Sequence, residues 1–388
     1  MIRVGFRLIG GVAWQGGRNY LWNLLHAITH HASDRIQPVL LLGPDEVAGD
    51  LALDGVEVFQ TNSWTDSSYA RSLGRALKLV RGPNLVEEHW LHRARIDVYS
   101  HAPPVASWLG GRTPTISWVP DLQHRHLPEL AATREGFLRD MLFREMLRDA
   151  SVVLTSSETA LSDLREFYRE GRAMRRVLRF VGQPRVSATD VVPLAHLRQT
   201  LGVPPRFFHL PNQLWKHKNH GLVVEALREV PGAIVVATGP TEDYRHPGLL
   251  AALMARVNEL GLGERFIHLG LVSFDAMLSL MSHSVAVINP SRFEGWSTTV
   301  EEAKSLGKRV LVSDLPVHRE QAPPRGSFFP VDDSSALAAQ MREAWDSYDA
   351  AADARAAEDA AARLPERTRA FANTYAAIVR DALRGPGE

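Results

Sequence analysis

Cysteine is absent from this sequence of 388 residues. Without thiols the chain forms neither disulfide bonds nor thiolate metal sites, which fits a reducing compartment, so we expect a cytoplasmic protein. No apolar run approaches the ~20 residues that a membrane-spanning helix needs. The N-terminal stretch MIRVGFRLIG lacks a long apolar segment with a small-residue cleavage site, so we expect no signal peptide.

A net charge is missing as well. Lysine plus arginine and aspartate plus glutamate number 44 each, so the formal net charge is +0. This balance does not indicate a nucleic-acid partner, and we expect none. The length favours two domains over a single core. Residues 182–189 lack apolar periodicity and contain Pro184, so we place the linker there, between domains at 1–185 and 190–369.

Short apolar runs alternate with helical patterns in both halves of the chain. This alternation predicts an α/β fold with parallel sheets. In the first half we predict strands over 2–9, 38–43, 56–61, 97–100, 113–119 and 151–157, and helices over 19–30, 69–80, 133–149 and 161–179. The 161–179 segment is rich in arginine, which suits either an anionic membrane surface or, as we favour, a solvated face paired with Glu166 and Glu170.

Residues 285–320 carry the strongest pattern in the chain. The apolar run 285–288 predicts a buried strand, which ends at Asn289 and Pro290. Thr298 and Glu301 have the spacing of a capping box, so we expect a helix to start near Thr298. Gly307 is placed to end that helix before an apolar strand at 309–313.

Two carboxylates lie in this stretch, Glu294 in the predicted loop and Glu302 in the first turns of the helix. Both would lie at the carboxyl end of a parallel strand, where open α/β sheets bind ligands. The adjacent helix start offers free backbone N–H groups that favour phosphate. The alternative is an ordinary solvated helix start, because glutamate pairs are common. The flanking strands and the Pro290-Ser291 pair favour the functional interpretation.

The run EGWSTTVEE, from Glu294 to Glu302, resembles the Glu-x7-Glu signature of family 4 glycosyltransferases. Those enzymes are retaining and metal-independent, with the GT-B fold of two Rossmann-like domains that face a central cleft. The resemblance implies that Glu294 contacts hydroxyls of the donor sugar and that Glu302 contacts the nucleotide ribose. It also implies that a terminal helix, at about 370–388, crosses back to the N-terminal domain.

The diphosphate site expected from the resemblance lies between the two glutamates. There the family more often has Gly-Phe-Gly-Leu-Pro, whereas this chain has Gly295, Trp296, Ser297, Thr298 and Thr299. The second glycine, which would allow close backbone approach, is missing. Backbone amides and hydroxyls of this run would hold the diphosphate instead.

A second match covers residues 211–221, PNQLWKHKNHG. The family has an arginine in this loop and a lysine before the next helix, and both neutralise the donor diphosphate. Lys218 matches the lysine, whereas Asn212 or Gln213 occupies the place of the arginine. Charge neutralisation would then rest on Lys218, with help from Lys216 or Arg292. A fixed cation stabilises the charge that develops on a leaving diphosphate.

The remaining candidates come from their positions relative to the family pattern. Relatives place a histidine or His-Asp pair at the end of the strand that we predict at 113–119, near the transferred sugar. Asp121 and His124 match best, followed by His126, and His101 is a weaker candidate. The alternative is a surface histidine without a role in catalysis.

Two further segments are assigned by the same resemblance. The glycine-rich loop near the N-terminus makes Gly16, Gly17 and Arg18 candidates for contacting the donor phosphate or the acceptor, although the glycines serve equally well as turn residues. Residues 271–273, with Val272 at their centre, would line the nucleobase slot through backbone groups.

We therefore expect a retaining glycosyltransferase that moves a hexose or deoxyhexose from a nucleotide-sugar donor to a glycan or glycolipid hydroxyl, by a front-face mechanism. No metal or cofactor is expected, and polysaccharide or lipopolysaccharide assembly is the expected context, with possible peripheral contact at the cytoplasmic membrane. A nucleotide-sugar 2-epimerase of the same fold is an alternative. A non-catalytic nucleotide-sugar-binding subunit is another, because the loop arginine is missing.

Overall fold

A computed structural model describes residues 1–9, 15–43, 45–60, 85–102, 113–130, 133–185, 191–243 and 245–385. The chain divides into two compact units. The first comprises Met1–Leu122, Arg134–Phe180 and Glu366–Glu388, and the second comprises Gln123–Thr133 and Val181–Pro365. The short segment Gln123–Thr133 thus packs with the second unit, although it lies within the first half of the sequence.

The first unit is built on a parallel sheet of seven strands, in the order β3-β2-β1-β4-β5-β6-β7. Its strands are β1 (Ile2–Arg7), β2 (Ile36–Leu42), β3 (Glu57–Gln60), β4 (Val98–Ser100), β5 (Thr115–Val119), β6 (Val152–Thr155) and β7 (Met174–Val177). The helices of residues 1–180 are α1 (Gln15–His31), α2 (Leu85–Arg93), α3 (Gln123–His126), α4 (Thr133–Asp149) and α5 (Glu158–Phe167), of which α3 packs with the second unit.

The second unit has a parallel sheet of six strands, in the order β10-β9-β8-β11-β12-β13. The strands are β8 (Phe208–Leu210), β9 (Val235–Ala237), β10 (Phe266–His268), β11 (Val287–Asn289), β12 (Val310–Ser313) and β13 (Gly326–Phe329). The helices are α6 (Leu194–Leu201), α7 (His220–Arg228), α8 (Leu249–Glu259), α9 (Phe274–His283), α10 (Thr298–Ser305), α11 (Pro316–Gln321), α12 (Ser334–Asp346) and α13 (Ala350–Arg384).

The strand order of the second unit places its site. Chain order reverses between β8 and β11, which are paired neighbours although two strands separate them in the sequence. The loops that leave these two strands therefore diverge and open a crevice at their carboxyl ends. The central strands are apolar and buried on both faces, as Phe208, Leu210 and Ile288 show, so the crevice rests on a rigid core.

Two helix predictions are wrong in their extent. The segment 161–179 is not one helix, because α5 ends at Phe167 and Met174–Val177 pairs in parallel with β6 as the edge strand β7. An edge strand has a neighbouring strand on one side only, so it tolerates charged side chains. The spacing of its arginines also fits a helix, which explains the wrong prediction. Because 161–179 is not one helix, it does not form the arginine-rich helix face that would lie on a membrane surface.

The glycine loop near the N-terminus is also different. Helix α1 begins at Gln15, so Gly16 and Gly17 lie in its first turn rather than in a loop. The predicted helix at 69–80 lies outside the described residues. The helix predicted at 133–149 is confirmed as α4, and Ser157 is confirmed as a cap, since its Oγ accepts from the Ala160 backbone N–H at 2.9 Å.

The C-terminal region forms one helix of 35 residues, α13, which begins at Ala350 and thus well before the terminal helix expected at about 370–388. Pro365 lies inside it, although proline removes a backbone hydrogen bond and usually breaks a helix. Tertiary contacts hold each half. In the second unit Asp353 is ion-paired with Lys308 and Arg325.

In the first unit the Tyr375 hydroxyl donates to Ser100 Oγ at 2.7 Å. The residues from Glu366 onward thus pack with the first unit, as the family resemblance implies.

Candidate functional site

Two loops meet at the switch point of the second sheet. The loop after β8 carries Lys218, in a short 3-10 turn before α7, and the loop after β11 carries Glu294. Lys218 Nζ donates to Glu294 Oε1 at 2.6 Å. These side chains are 76 positions apart in the sequence, and the reversal of strand order brings them together.

The Glu294 carboxylate is held through one of its two oxygens. Oε1 accepts from Lys218 and also from Ser291 Oγ, at 2.6 Å in each case. Within the described residues, no hydrogen bond reaches Oε2. Burial alone would raise the pKa of Glu294, but the charge of Lys218 and the hydrogen bonds from Lys218 and Ser291 outweigh it, so the pKa is lowered. The carboxylate is therefore ionised at neutral pH, with one oxygen available to a ligand.

A buried polar network fixes the loop that carries Glu294. Asn289, the last residue of β11, donates from Nδ2 to Ser297 Oγ at 3.0 Å and contacts His318 Nε2 at 3.2 Å. His318 Nδ1 lies 2.7 Å from the Ser313 carbonyl oxygen, so Nδ1 carries the proton and Nε2 accepts from Asn289. Burial lowers the pKa of His318, which keeps the ring neutral. The loop is thus anchored to β12 and α11.

Helix α10 starts at Thr298, as predicted, but its cap is Ser297. Ser297 Oγ accepts from the Val300 N–H at 3.4 Å, and the Glu301 N–H bonds the Ser297 carbonyl at 3.1 Å. Gln321 Oε1 takes the Ser297 N–H at 3.2 Å. Among the described residues, the N–H groups of Thr298 and Thr299 then have no hydrogen-bond acceptor. Such free amides at a helix start favour an anion.

The predicted capping box is wrong in its partners. The cap is Ser297 rather than Thr298, and the Glu301 carboxylate accepts from Lys304 Nζ at 2.8 Å and from Gln321 Nε2 at 3.2 Å. Gln321 Nε2 also donates to the Ser297 carbonyl at 3.0 Å. Gln321, 24 positions from Ser297, therefore bonds the start of the helix in place of the local capping box that the sequence pattern predicts.

Glu302 lies in a different environment from Glu294. Its residue is 5% exposed, and no hydrogen bond reaches its carboxyl within the described part of the chain. Burial raises the pKa of Glu302 to about 8, and the attraction of Arg185 opposes this only in part. The carboxyl is thus mostly protonated at neutral pH in the absence of a ligand.

Asn212, which with Gln213 is a candidate for the place of the family's arginine, is bonded at both ends of its side chain. Nδ2 donates to the Ile288 carbonyl at 3.4 Å, and Oδ1 accepts from Thr299 Oγ1 at 3.4 Å. The Asn212 carbonyl accepts from His220 Nε2 at 3.2 Å. The side chain therefore ties the end of β8 to β11 and to α10.

The other predicted donor-binding residues differ in their burial and in their hydrogen-bond partners. Gly295 is buried beside Glu294, whereas the Arg292 guanidinium turns to Asp332, with Nε donating to Oδ1 at 2.8 Å. Three cations are candidates for the diphosphate. Lys218 is paired with Glu294, Arg292 is paired with Asp332, and Lys216 is exposed. Val272 is half-buried in the turn between β10 and α9.

The histidine-rich segment after β5 is shared between the units. Asp121 lies in the first unit, where Arg139 Nη1 donates to its Oδ1 at 3.4 Å. His124 is 6% exposed in α3, which packs with the second unit. The His126 ring stacks on Phe293, with centroids 5.1 Å apart, directly before Glu294. His126, the third choice, thus lies beside the glutamate loop, and the roles of Asp121 and His124 stay predictions.

The N-terminal candidates are engaged within the first unit. Arg18 donates from Nε to Asp50 Oδ1 at 2.9 Å, and Gly17 is buried in α1. His101 has a left-handed backbone (φ 58) and lies 2.6 Å, from Nε2, from the Tyr20 hydroxyl. Burial lowers the pKa of His101 to about 3, so it is a neutral core histidine.

Sequence reasoning missed Asn289, His318, Gln321 and Arg185. Asn289 had a visible signal, since a polar residue ends an apolar strand next to the glutamate loop. The other three act through tertiary contacts from distant segments, which the local pattern does not carry.

Residues 198–362 match the family described as "Glycosyl transferases group 1". The chain carries a group 1 glycosyltransferase domain. This match covers most of the second unit, including Lys218, Glu294 and Glu302, and it makes the protein a transferase. The family resemblance drawn from the Glu-x7-Glu run is confirmed at this level.

Solved glycosyltransferase structures share the fold of the whole chain. HepE from Anabaena, in complex with UDP and glucose, is 20% identical, with a TM-score of 0.71 over 98% of this chain and 100% of that one. Sucrose-phosphate synthase from Thermosynechococcus elongatus is 16% identical, with a TM-score of 0.68 over 98% of each chain. At these identities the likeness shows the fold, which is the predicted GT-B type.

A third structure is WaaG, a glycosyltransferase involved in lipopolysaccharide biosynthesis, at 13% identity and a TM-score of 0.58 over 98% of each chain. No curated protein matches the sequence. Within the described residues, no helix combines the length and the apolar character needed to cross a membrane.

Proposed function

We propose that this glycosyltransferase moves a hexose or deoxyhexose from a nucleotide sugar to a glycan or glycolipid hydroxyl, with retention and without a metal ion. The observation that carries the proposal is the Lys218–Glu294 pair at the switch point, directly before the free amides of α10. A cation, a helix start and an open carboxylate oxygen are the groups that an activated sugar needs.

Glu294 would hold the sugar. Its Oε1 is fixed by Lys218 and Ser291, which aims Oε2 and leaves it free to accept from sugar hydroxyls. The lowered pKa keeps the carboxylate charged, so these hydrogen bonds are charge-assisted. A group fixed in advance loses little entropy on binding.

Lys218 and the N–H groups of Thr298 and Thr299 would hold the diphosphate. The ammonium group has three donors and gives one to Glu294, so two remain for phosphate oxygens. As the bond from the anomeric carbon to the phosphate oxygen breaks, these groups stabilise the growing negative charge.

The new bond would form on the face that the leaving group vacates. The acceptor oxygen bonds to the anomeric carbon, and its proton passes to the departing phosphate oxygen, so no side chain serves as nucleophile or base. Glu302 would accept from the ribose hydroxyls, which supply partners to a carboxyl that has none in the described structure. His124 and Asp121 would shape the sugar site.

The solved structures support a first choice of donor and context. HepE was solved with UDP and with UDP-glucose, so UDP-sugars are the donors we propose to test first. WaaG supports glycolipid or polysaccharide assembly as the context. We also propose a cytoplasmic location, with peripheral membrane contact where the acceptor is a lipid.

The test is a transfer assay with UDP-, GDP- and dTDP-sugars and a panel of glycan and glycolipid acceptors, run in excess EDTA. We expect one donor to be consumed with an acceptor-dependent product, whose anomeric configuration by NMR equals that of the donor. Transfer that EDTA abolishes would contradict the metal-free mechanism, and an inverted product would contradict retention. Epimerised donor without acceptor would favour the 2-epimerase. Nucleotide binding without turnover would favour a binding subunit.

A further inference from the structure

Helix α11 carries two buried polar side chains that support the start of α10. His318 and Gln321 are one turn apart and are 0% and 2% exposed. Gln321 accepts from the Ser297 N–H at 3.2 Å and donates to the Ser297 carbonyl at 3.0 Å. His318 contacts Asn289, which in turn donates to the Ser297 hydroxyl. The residue that caps α10 is therefore held from α11 directly through its backbone and, by way of Asn289, through its side chain.

The tautomer of His318 decides the direction of these hydrogen bonds. Its Nδ1 lies 2.7 Å from the Ser313 carbonyl oxygen, which can only accept, so the proton is on Nδ1 and Nε2 is an acceptor. Asn289 must then present its amide nitrogen to Nε2, at 3.2 Å, rather than its carbonyl oxygen. The other hydrogen of that amide goes to Ser297 Oγ at 3.0 Å. The neutral histidine thus fixes which end of the Asn289 amide faces the helix start.

Ser297 Oγ accepts two hydrogen bonds within the protein. One comes from Asn289 at 3.0 Å and the other from the Val300 backbone N–H at 3.4 Å. A hydroxyl has two acceptor sites and one donor, so these bonds leave the hydroxyl hydrogen as its remaining group. Among the residues that the structure describes, no acceptor takes this hydrogen. Ser297 is 2% exposed, so a buried donor without a partner directly precedes the N–H groups of Thr298 and Thr299.

We propose that His318 is a positioning residue of the donor site, which acts through Asn289 to direct the Ser297 hydroxyl hydrogen to the donor diphosphate. This inference rests on the proposed function, because it needs a diphosphate at the start of α10. The hydroxyl adds a third donor to the N–H groups of Thr298 and Thr299. With the Asn289 amide reversed, its carbonyl oxygen would take the Ser297 hydrogen, and the diphosphate would lose that donor.

The test is nucleoside diphosphate binding by isothermal titration calorimetry on the full chain. UDP, GDP and dTDP are titrated into wild type, and the tightest is compared with its nucleoside, which is measured by competition. Ser297→Ala removes the hydroxyl, so we expect it to lose about tenfold in affinity for the diphosphate and less than about twofold for the nucleoside. Ser157→Ala is the matched control, because Ser157 is also a buried serine cap. Its affinities should equal those of wild type.

Two substitutions of His318 separate its two hydrogen bonds. His318→Gln places an amide oxygen where Nε2 lies and so keeps an acceptor for Asn289, and its affinities should stay within about twofold of wild type. His318→Asn keeps a donor for Ser313 but leaves Asn289 without its acceptor, so we expect about a fivefold loss of diphosphate affinity at unchanged stoichiometry. In the Ser297→Ala background the same substitution should cost less than about twofold, because both changes act through one hydroxyl.

An equal loss of affinity for the diphosphate and the nucleoside would overturn the inference, since Glu302 lies on the same helix and a displaced α10 would weaken both. So would unchanged diphosphate affinity in Ser297→Ala, a result that does not depend on the folding of the His318 variants. A loss in His318→Gln as large as that in His318→Asn would overturn it as well, because the acceptor for Asn289 is kept. Wild type that binds none of the three nucleotides would instead remove the proposed function itself, and the two failures are thus distinguishable.

Discussion

Glu294 and Glu302 are both buried carboxyls of one loop and one helix, yet their ionisation differs. Lys218 and Ser291 bond Glu294 and lower its pKa, whereas burial raises the pKa of Glu302 to about 8. The difference comes from the partners rather than from burial, since burial alone raises the pKa of both. Glu294 is thus ionised and fixed before a ligand arrives, whereas Glu302 would gain hydrogen-bond partners from the ribose that we propose it binds.

This contrast suggests a division of tasks at the donor site. Glu294 is preorganised by Lys218 and Ser291, as a group that we propose to hold the reacting sugar needs to be. The Glu302 environment leaves a buried carboxyl without hydrogen bonds, which costs stability until hydroxyl donors arrive. Nucleotide binding would then be favoured by relief of that cost, and four substitutions test the two environments separately.

The largest effect is expected from Glu294→Gln. The amide keeps the shape but loses the charge that strengthens hydrogen bonds to the sugar, so transfer should fall by about 100- to 1000-fold. Affinity for the nucleoside diphosphate should change by less than about threefold, because the sugar is absent. Steady-state transfer and calorimetry measure the two. Glu264→Gln, an exposed carboxylate of the same unit, is the control. Full transfer activity in Glu294→Gln would remove it from the sugar site.

Lys218→Met removes the cation of the Lys218–Glu294 ion pair. It leaves an ionised carboxylate buried without its cation, and we expect a loss of about 3 kcal/mol in the free energy of unfolding. Urea denaturation measures this loss, and affinity for the nucleoside diphosphate should fall as well. Lys216→Met, at an exposed neighbour, should leave the free energy of unfolding unchanged. Unaltered stability in Lys218→Met would show that the ion pair does not persist in solution.

Glu302→Gln tests the other environment through pH. Folded Glu302 keeps its proton to about pH 8, whereas an unfolded glutamate releases it near 4.5. Folding therefore binds a proton between these values, so this stabilising contribution is complete below pH 4.5 and is lost as pH rises to 8. Wild type should lose up to about 1.4 kcal/mol more per pH unit across this window than Glu302→Gln. Parallel stability curves for the two proteins would show that Glu302 is not held protonated.

The smallest effect is expected from Ser291→Ala. It removes one hydrogen bond to Glu294 Oε1 and should reduce the free energy of unfolding by about 1 kcal/mol, with a several-fold loss of transfer. Ser335→Ala, on the exposed face of α12, is the control for denaturation and transfer assays. A loss as large as that of Lys218→Met would show that Ser291, rather than the lysine, holds the carboxylate.

The sequence was sufficient where local patterns and strand order decide the outcome. The unit from β11 through α10 to β12 follows from apolar runs, a cap and Gly307, whose left-handed φ of 66 ends the helix. Because both loops follow strands of one parallel sheet, the proximity of Lys218 and Glu294 was also predictable.

Tertiary partners decided the rest. Gln321 reaches Ser297 from α11 and so replaces the local capping box. The arginines of β7 fit a helical period, but pairing with β6 prevails. Contacts of Asp353 and Tyr375, on either side of Pro365, hold α13 as one helix. None of these contacts can be recognised from the sequence of the segment whose structure it determines.

The most direct test of the central claim, that Glu294, Lys218 and Glu302 form one donor site, is nucleoside diphosphate affinity by calorimetry in wild type, Glu302→Ala and Glu264→Ala. We predict that at least one nucleoside diphosphate binds wild type and Glu264→Ala alike, and that Glu302→Ala binds it at least about tenfold more weakly. Equal affinity in all three proteins would contradict the account.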